Sequence, residues 1–165
     1  MKRVAVLLAG LILALAACGD SGGKQAVSYT AATMSSGDKV SLSSLSGHPA
    51  VLVSWATWCT ECDKELGALQ SFAKSPAADG LKIVAVNLDA ADVQDEIDAK
   101  VERHHLSVEL WRDRRNGFKS AFGALGVPTT VVLDRGGEVV GTFPGAVDFS
   151  DAAVVAAIDT ARKSS

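Results

Sequence analysis

The sequence predicts an α/β domain, a central mixed β-sheet flanked by helices on both faces. Three observations carry this reading. Short apolar, β-branched runs at 50–55, 81–88 and 129–133 have the length of strands covered on both sides. Between the first two, and again after the second, apolar residues recur three or four apart, which is helical spacing. Near the end, Asp134-Arg-Gly-Gly137 supplies turn chemistry between two strand-like runs. The length, 165 residues, suits one compact domain.

In order, Val40 to Leu45 alternates weakly and reads as an early strand. Ala50-Val-Leu-Val-Ser-Trp55 is the first strong one. From Thr60, residues Cys62, Leu66, Leu69 and Ala73 fall on one helical face, bounded by Pro76 and Gly80. Leu81 to Leu88 is the next strand. Asp92 to His105 reads as a helix, with Val93, Ile97 and Val101 four apart. Val108 to Trp111 is a short strand, and Asn116 to Phe122 a short helix with Asn116 as its N-cap. Thr129 to Leu133 and Glu138 to Phe143 form the hairpin. Ser150 caps a last helix reaching Arg162, with Ala153, Val154, Ala157, Ile158 and Ala161 facing inward. No internal repeat is visible.

Composition excludes several classes. With 48% hydrophobic and 21% charged residues the chain is neither disordered nor collagen-like. A net charge of −3 argues against nucleic acid as a partner, because phosphate binding wants a basic face. Three cysteines are too few for a disulfide-framework scaffold.

Residues 1–17 read as a signal peptide: a basic Lys2-Arg3 start and an uncharged run from Val4 to Ala17. As a helix that run rises only about 21 Å, short of a hydrocarbon core of about 30 Å. Its end, Leu15-Ala-Ala-Cys18, resembles a bacterial lipoprotein lipobox, which implies cleavage before Cys18 and lipidation of its sulfur. Residues 18–26, polar and glycine-rich, read as a flexible tether, and 27–165 as the folded domain. The expected location is extracytoplasmic, in the periplasm or on the outer face of the cell membrane, held by a lipid anchor, where disulfides persist.

Trp58-Cys-Thr-Glu-Cys62 follows the Ala50–Trp55 strand directly and opens the first strong helix. Two cysteines so spaced can form a disulfide. At the helix start, unpaired N–H groups and the helix dipole favour a thiolate at Cys59, which is the form that attacks. Cys59 is expected to be exposed, and Cys62, one turn in, buried and able to resolve a mixed disulfide. A structural zinc half-site is the weaker alternative, since no second Cys pair and no His-x-x-x-His accompany it; His48, His104 and His105 do not have ligand spacing. A structural disulfide closes too short a loop to stabilise much, and two inert buried thiols do not suit a helix start.

The run Gly47-His-Pro-Ala-Val-Leu-Val-Ser-Trp-Ala-Thr-Trp-Cys-Thr-Glu-Cys62, then Glu65, Gly126-Val-Pro-Thr-Thr130 and Asp134-Arg-Gly-Gly-Glu-Val-Val-Gly141, resembles the thioredoxin superfamily and, more closely, its exported, membrane-tethered TlpA/ResA-like branch. The resemblance spans residues 38 to 163 or so, and implies a thioredoxin-like fold. It implies that Pro128 is a cis proline beside the dithiol and that Val127 offers free backbone to an extended peptide. It gives Glu65 a part in moving the cysteine protons, the more so because Val53 stands where thioredoxins often carry a buried aspartate. Trp58 is expected to wall Cys59 and dock substrate, while Trp55 packs inside. The Arg112, Arg114, Arg115 cluster is read as a solvated face.

The sequence also departs from that branch. Gly67 replaces a frequent proline, and Thr60-Glu61 lacks the proline common between the cysteines. Glu61 adds negative charge beside the thiolate, which places the pair in the reducing half of the range from about −270 to about −120 mV. The resemblance implies an extracytoplasmic thiol–disulfide oxidoreductase, a reductase of exported protein disulfides with cytochrome c maturation as one setting. Its expected partners are disulfide-bearing exported proteins and a membrane electron donor. It is expected to be monomeric, with no nucleic acid, metal or cofactor beyond the Cys59–Cys62 disulfide. The rival is a copper chaperone of the same fold using both cysteines as ligands, which usually adds a downstream histidine; none follows His105.

Overall fold

The computed structural model describes residues 27–164. The leader, Cys18 and the tether to residue 26 lie outside the described residues. Seven strands form one sheet: β1 (Thr30–Thr33), β2 (Lys39–Ser41), β3 (Ala50–Trp55), β4 (Lys82–Asn87), β5 (Glu109–Arg112), β6 (Thr129–Leu133) and β7 (Val139–Pro144). Four helices accompany them: α1 (Thr60–Ala73), α2 (Gln94–Arg103), α3 (Gly117–Phe122) and α4 (Ala152–Lys163). The strand order is β2-β1-β5-β4-β3-β6-β7. β3, β4 and β5 run parallel to one another, while β6, β7, β1 and β2 attach antiparallel, so the sheet is mixed as expected.

β3 is buried along its whole length because both faces are covered. Val51, Val53 and Trp55 face one core with Leu66 and Leu69 of α1, Ile97 of α2 and Ile158 of α4. Leu52 faces the other, with Trp111, Phe118 and Phe122 around Tyr29. Each fully buried leucine or valine contributes about 1.5–3 kcal/mol relative to exposure. Among the described residues no helix is long and apolar enough to cross a membrane.

Several local expectations are corrected. β1 was not foreseen: Thr30-Ala-Ala-Thr33 has no apolar alternation, yet it pairs with both β2 and β5. The 40–45 run is strand only to Ser41; Leu42–Leu45 turns into a 3-10 helix so that Leu42 and Leu45 are both buried. Asn116 precedes α3 but has φ 59°, left-handed rather than extended, and its side chain caps nothing. The cap comes from Asp113, whose Oδ2 accepts from the Phe118 N–H at 2.7 Å and from the Tyr29 hydroxyl at 3.2 Å. Ser150 does not cap α4; its N–H and hydroxyl both donate to Asp148 Oδ1. Ala153 points outward, whereas Val154, Ala157, Ile158 and Ala161 are buried.

Candidate active site

The β3 strand delivers the chain to the site at its C-terminal end. Residues 56–58 then form a short connection pinned by Asp89, just past β4. Its Oδ2 accepts from the Thr57 N–H at 2.8 Å and its Oδ1 from the Thr57 hydroxyl at 2.9 Å. Asn87 Nδ2 donates to the same Oδ2 at 2.7 Å, so the carboxylate is fully engaged. The helix that follows begins at Thr60 with Cys59 in the N-cap position, where Sγ accepts from the Cys62 N–H at 3.1 Å.

Cys59 and Cys62 are joined as a disulfide, with Cα atoms 5.3 Å apart. The expected contrast in exposure is smaller than foreseen. Cys62 is wholly buried, but Cys59 is itself only 6% exposed. Trp58, next to it in the chain, is 73% exposed, and Leu125, in the loop before β6, is 90% exposed. Trp55 is buried, as expected.

The Val127–Pro128 peptide is cis. The loop that carries it is tied down on both sides. Thr129 Oγ1 donates to the Gly126 carbonyl at 2.9 Å, the Thr129 N–H donates to Ser54 Oγ at 2.9 Å, and the Gly145 N–H donates to the Pro128 carbonyl at 3.0 Å. Val127 makes no backbone hydrogen bond among the described residues.

Glu65 lies one turn beyond Cys62 and is 1% exposed. Its Oε1 accepts a short hydrogen bond from the Thr130 hydroxyl on β6. Oε2 is buried without a full hydrogen bond, although the nearby Val147 N–H helps the charged form a little. Burial dominates these two contacts and pushes the carboxyl up to about 7. An open groove of about 780 Å³ between α1 and the 146–150 segment reaches Glu65 and is lined largely by Ala68, Phe72, Val147, Phe149 and Val155.

Sequence reasoning missed a second charged group on the other flank of α1. Lys100 of α2 is buried, and its ammonium donates to the Cys59 carbonyl at 3.1 Å, the Ala56 carbonyl at 3.4 Å and Asp63 Oδ2 at 3.2 Å. His104 Nε2 meets Asp63 Oδ1 at 2.8 Å. The signal was present: Lys100 and His104 continue the stripe of Val93 and Ile97, so a lysine stands where an apolar residue belongs. Glu61, expected to burden the thiolate with negative charge, is exposed and paired with Lys64 at 3.0 Å. Among the described residues there is no cluster of three or more His, Cys, Asp or Glu side chains suited to a metal ion.

A mixed sheet with a Cys-x-x-Cys disulfide at the start of α1 and a cis-proline loop defines a thioredoxin-like thiol–disulfide oxidoreductase. The chain belongs to the AhpC/TSA family, whose profile matches residues 23–142. It is 32% identical over 118 residues to the thioredoxin-like protein YneN of Bacillus subtilis, covering 71% of this chain and 68% of YneN. It is 27% identical over 123 residues to the thiol-disulfide oxidoreductase ResA of Halalkalibacterium halodurans, covering 74% and 68%. The fold matches StoA from Bacillus subtilis with a TM-score of 0.66 at 23% identity, over 81% of this chain and 98% of StoA. A Chlorobium tepidum protein assigned as the thiol:disulfide interchange protein DsbE aligns with a TM-score of 0.71 at 24% identity, over 84% and 96%.

Proposed function

We propose that this chain is an extracytoplasmic, lipid-anchored reductase of disulfides in exported proteins, with Cys59 as nucleophile, Cys62 as resolving thiol and Glu65 as proton carrier. The observation that carries the reading is a Cys59 held at a helix N-terminus above a wholly buried Cys62, with the buried carboxyl of Glu65 one turn further on.

In the reduced state the Cys59 thiolate attacks one sulfur of a substrate disulfide. A Cys59–substrate S–S bond forms, the substrate bond breaks, and the departing thiolate takes a proton. Cys62 then gives its proton to ionised Glu65 and attacks Cys59 Sγ. The mixed disulfide breaks, the second substrate thiolate leaves, and Glu65 returns the proton. Two electrons pass from the dithiol to the substrate, leaving the Cys59–Cys62 disulfide. A membrane dithiol donor resets the pair by the reverse exchange. A group titrating near 7 suits both halves of this proton traffic.

Trp58 supplies an apolar docking face and Val127 unpaired backbone, which together suit an extended, strand-like substrate. The leader-like run ending at Ala17 and the Cys18 lipidation motif support export and anchoring, and the likeness to the thiol-disulfide oxidoreductase ResA supports the dithiol chemistry. Action on apocytochrome c cysteines is the narrower form of this proposal. The copper-chaperone alternative has no added ligand among the described residues.

A redox titration followed by tryptophan fluorescence tests the direction of transfer. A midpoint below about −200 mV supports the reductase, and one above about −150 mV overturns it. The Cys62→Ser variant should trap mixed disulfides through Cys59, and the trapped proteins name the substrates. Stoichiometric Cu(I) binding without dithiol turnover would move the reading to the chaperone.

A further inference from the structure

Asp63 and Glu65 are two residues apart, so at 3.6 residues per turn they leave α1 on nearly opposite flanks. Glu65 meets β6, and Asp63 meets α2. On the α2 side the buried Lys100 is the unexplained group. A lysine is rarely buried, because removing its charge from water is costly. An apolar residue at that position of the α2 stripe would serve packing better. Its three N–H groups are nonetheless all used, and two of their acceptors are the carbonyls of Ala56 and Cys59. Those carbonyls bracket the turn that presents the nucleophile, which the Cys59 N–H closes onto the Ala56 carbonyl at 3.3 Å.

We propose that Lys100 is a positioning residue for the dithiol: held by Asp63 against the Cys59 and Ala56 carbonyls, its ammonium fixes the Cys59 turn and supplies positive charge that favours the Cys59 thiolate. This rests on the oxidoreductase reading above. The charges around it favour the same conclusion. From α1, Glu61 is spent on Lys64, at the surface. Asp63 is shared among Lys100, Arg103 at 3.8 Å and His104 at 2.8 Å, so two permanent cations and a histidine divide one carboxylate. From α2, Glu96 and Arg103 also line the groove that holds Trp58 and Lys100. Burial works to raise the Asp63 pKa, but hydrogen bonds from His104 and Lys100 outweigh it and hold the carboxyl below its ordinary 3.8, so this arrangement persists across the working pH range. The ammonium therefore adds to the dipole of α1 and compensates the acidic residues of its first turn.

The test is the pH profile of iodoacetamide alkylation at Cys59 in the reduced full-length chain, read as the mass of the Cys59 peptide. Lys100→Met should raise the midpoint by about one pH unit, a tenfold slower reaction at pH 6, while Lys100→Arg stays close to wild type. Asp63→Asn, which leaves the ammonium in place, should lower the midpoint. A purely structural role would loosen the fold in both neutralising variants without shifting the midpoint in opposite directions. Equal midpoints in wild type, Lys100→Met and Asp63→Asn would overturn the proposal. Because alkylation reads the thiolate without any substrate, this failure is separate from a failure of disulfide reduction by the wild-type chain.

Discussion

The Thr130 hydroxyl donates a hydrogen bond to Glu65 Oε1, tying the start of β6 to α1 one turn beyond the dithiol. Among the described residues this is the one side-chain hydrogen bond Glu65 receives, and it is not enough to offset burial: the carboxyl is pushed up to about 7 from an ordinary 4.5. The folded chain thus binds a proton that the unfolded chain has released across that interval. Stability present below pH 4.5 is lost as the pH rises toward 7, and levels off above it. The full interval is worth about 3 kcal/mol at most. Glu65→Gln should flatten this limb and make the oxidised protein more stable than wild type at pH 8, as read by urea denaturation at several pH values. An unchanged slope between pH 5 and 7 would refute the assignment.

The same substitution separates stability from chemistry. Gln cannot carry the proton, so disulfide reduction by Glu65→Gln should fall about 10²-fold at pH 7 and lose the inflection near that pH. Thr130→Val, which removes the bond favouring the charged form, should move the inflection upward. A Glu65→Gln enzyme of wild-type rate and profile would reduce Glu65 to a packed core residue.

Trp58 is 73% exposed, so its side chain contributes little to the folded state. Trp58→Ala should change stability by less than about 0.5 kcal/mol. As a docking face beside Cys59 it should nonetheless matter for substrate, raising KM about tenfold for a peptide disulfide and leaving the redox midpoint in place. A KM equal to wild type would remove Trp58 from the substrate surface.

The connection into the active site depends on Asp89, which lies 30 residues beyond Cys59 in sequence. Asp89→Ala removes the acceptors of the Thr57 N–H, the Thr57 hydroxyl and Asn87 Nδ2 together. Leaving part-buried donors unpaired should cost about 2–3 kcal/mol in urea denaturation. A loss below about 0.5 kcal/mol would show that water or another side chain takes over, and that Asp89 does not hold the loop.

The central strands and the dithiol were legible because their signals are local. β3 and β6 are continuous apolar runs, and Cys59 to Cys62 announces itself by spacing at a strand–helix junction. What was not legible depends on residues far apart in sequence. Glu65 could be suspected from its place after Cys62, but its acceptor role toward Thr130 spans 65 positions and needs the β3–β6 pairing. Lys100 falls on the apolar stripe of α2, but its hydrogen bonds to the Ala56 and Cys59 carbonyls span 44 and 41 positions and need α2 packed on α1. Asn116 is a favoured cap type by sequence, but a tertiary hydrogen bond from Tyr29 fixes Asp113 as the α3 cap instead. β1 leaves no signal in the sequence because it is short, begins and ends on threonine and has no apolar alternation.

Two glycines give opposite predictions for the same change. Gly67 sits inside α1, where a Cβ would meet only His104 Nδ1, at an ordinary 3.9 Å. Its helical backbone suits alanine, so Gly67→Ala should stabilise the fold by about 0.5–1 kcal/mol through lower unfolded-state entropy and better helix propensity. Gly141, in β7 beside the register shift at Val132/Leu133, has no such room. A Cβ there would stand 2.8 Å from Phe143 Cε2 and 3.0 Å from the Ala157 Cβ on α4. The Phe143 ring can swing aside, but the α4 backbone behind Ala157 resists. Gly141→Ala should therefore cost about 1–3 kcal/mol by overpacking. Thermal denaturation of the two oxidised variants beside wild type decides the matter: the melting temperature should rise for Gly67→Ala and fall for Gly141→Ala. A rise for Gly141→Ala would contradict the close approach of α4 to β7 at Ala157, and a fall for Gly67→Ala would contradict the room beside it in α1.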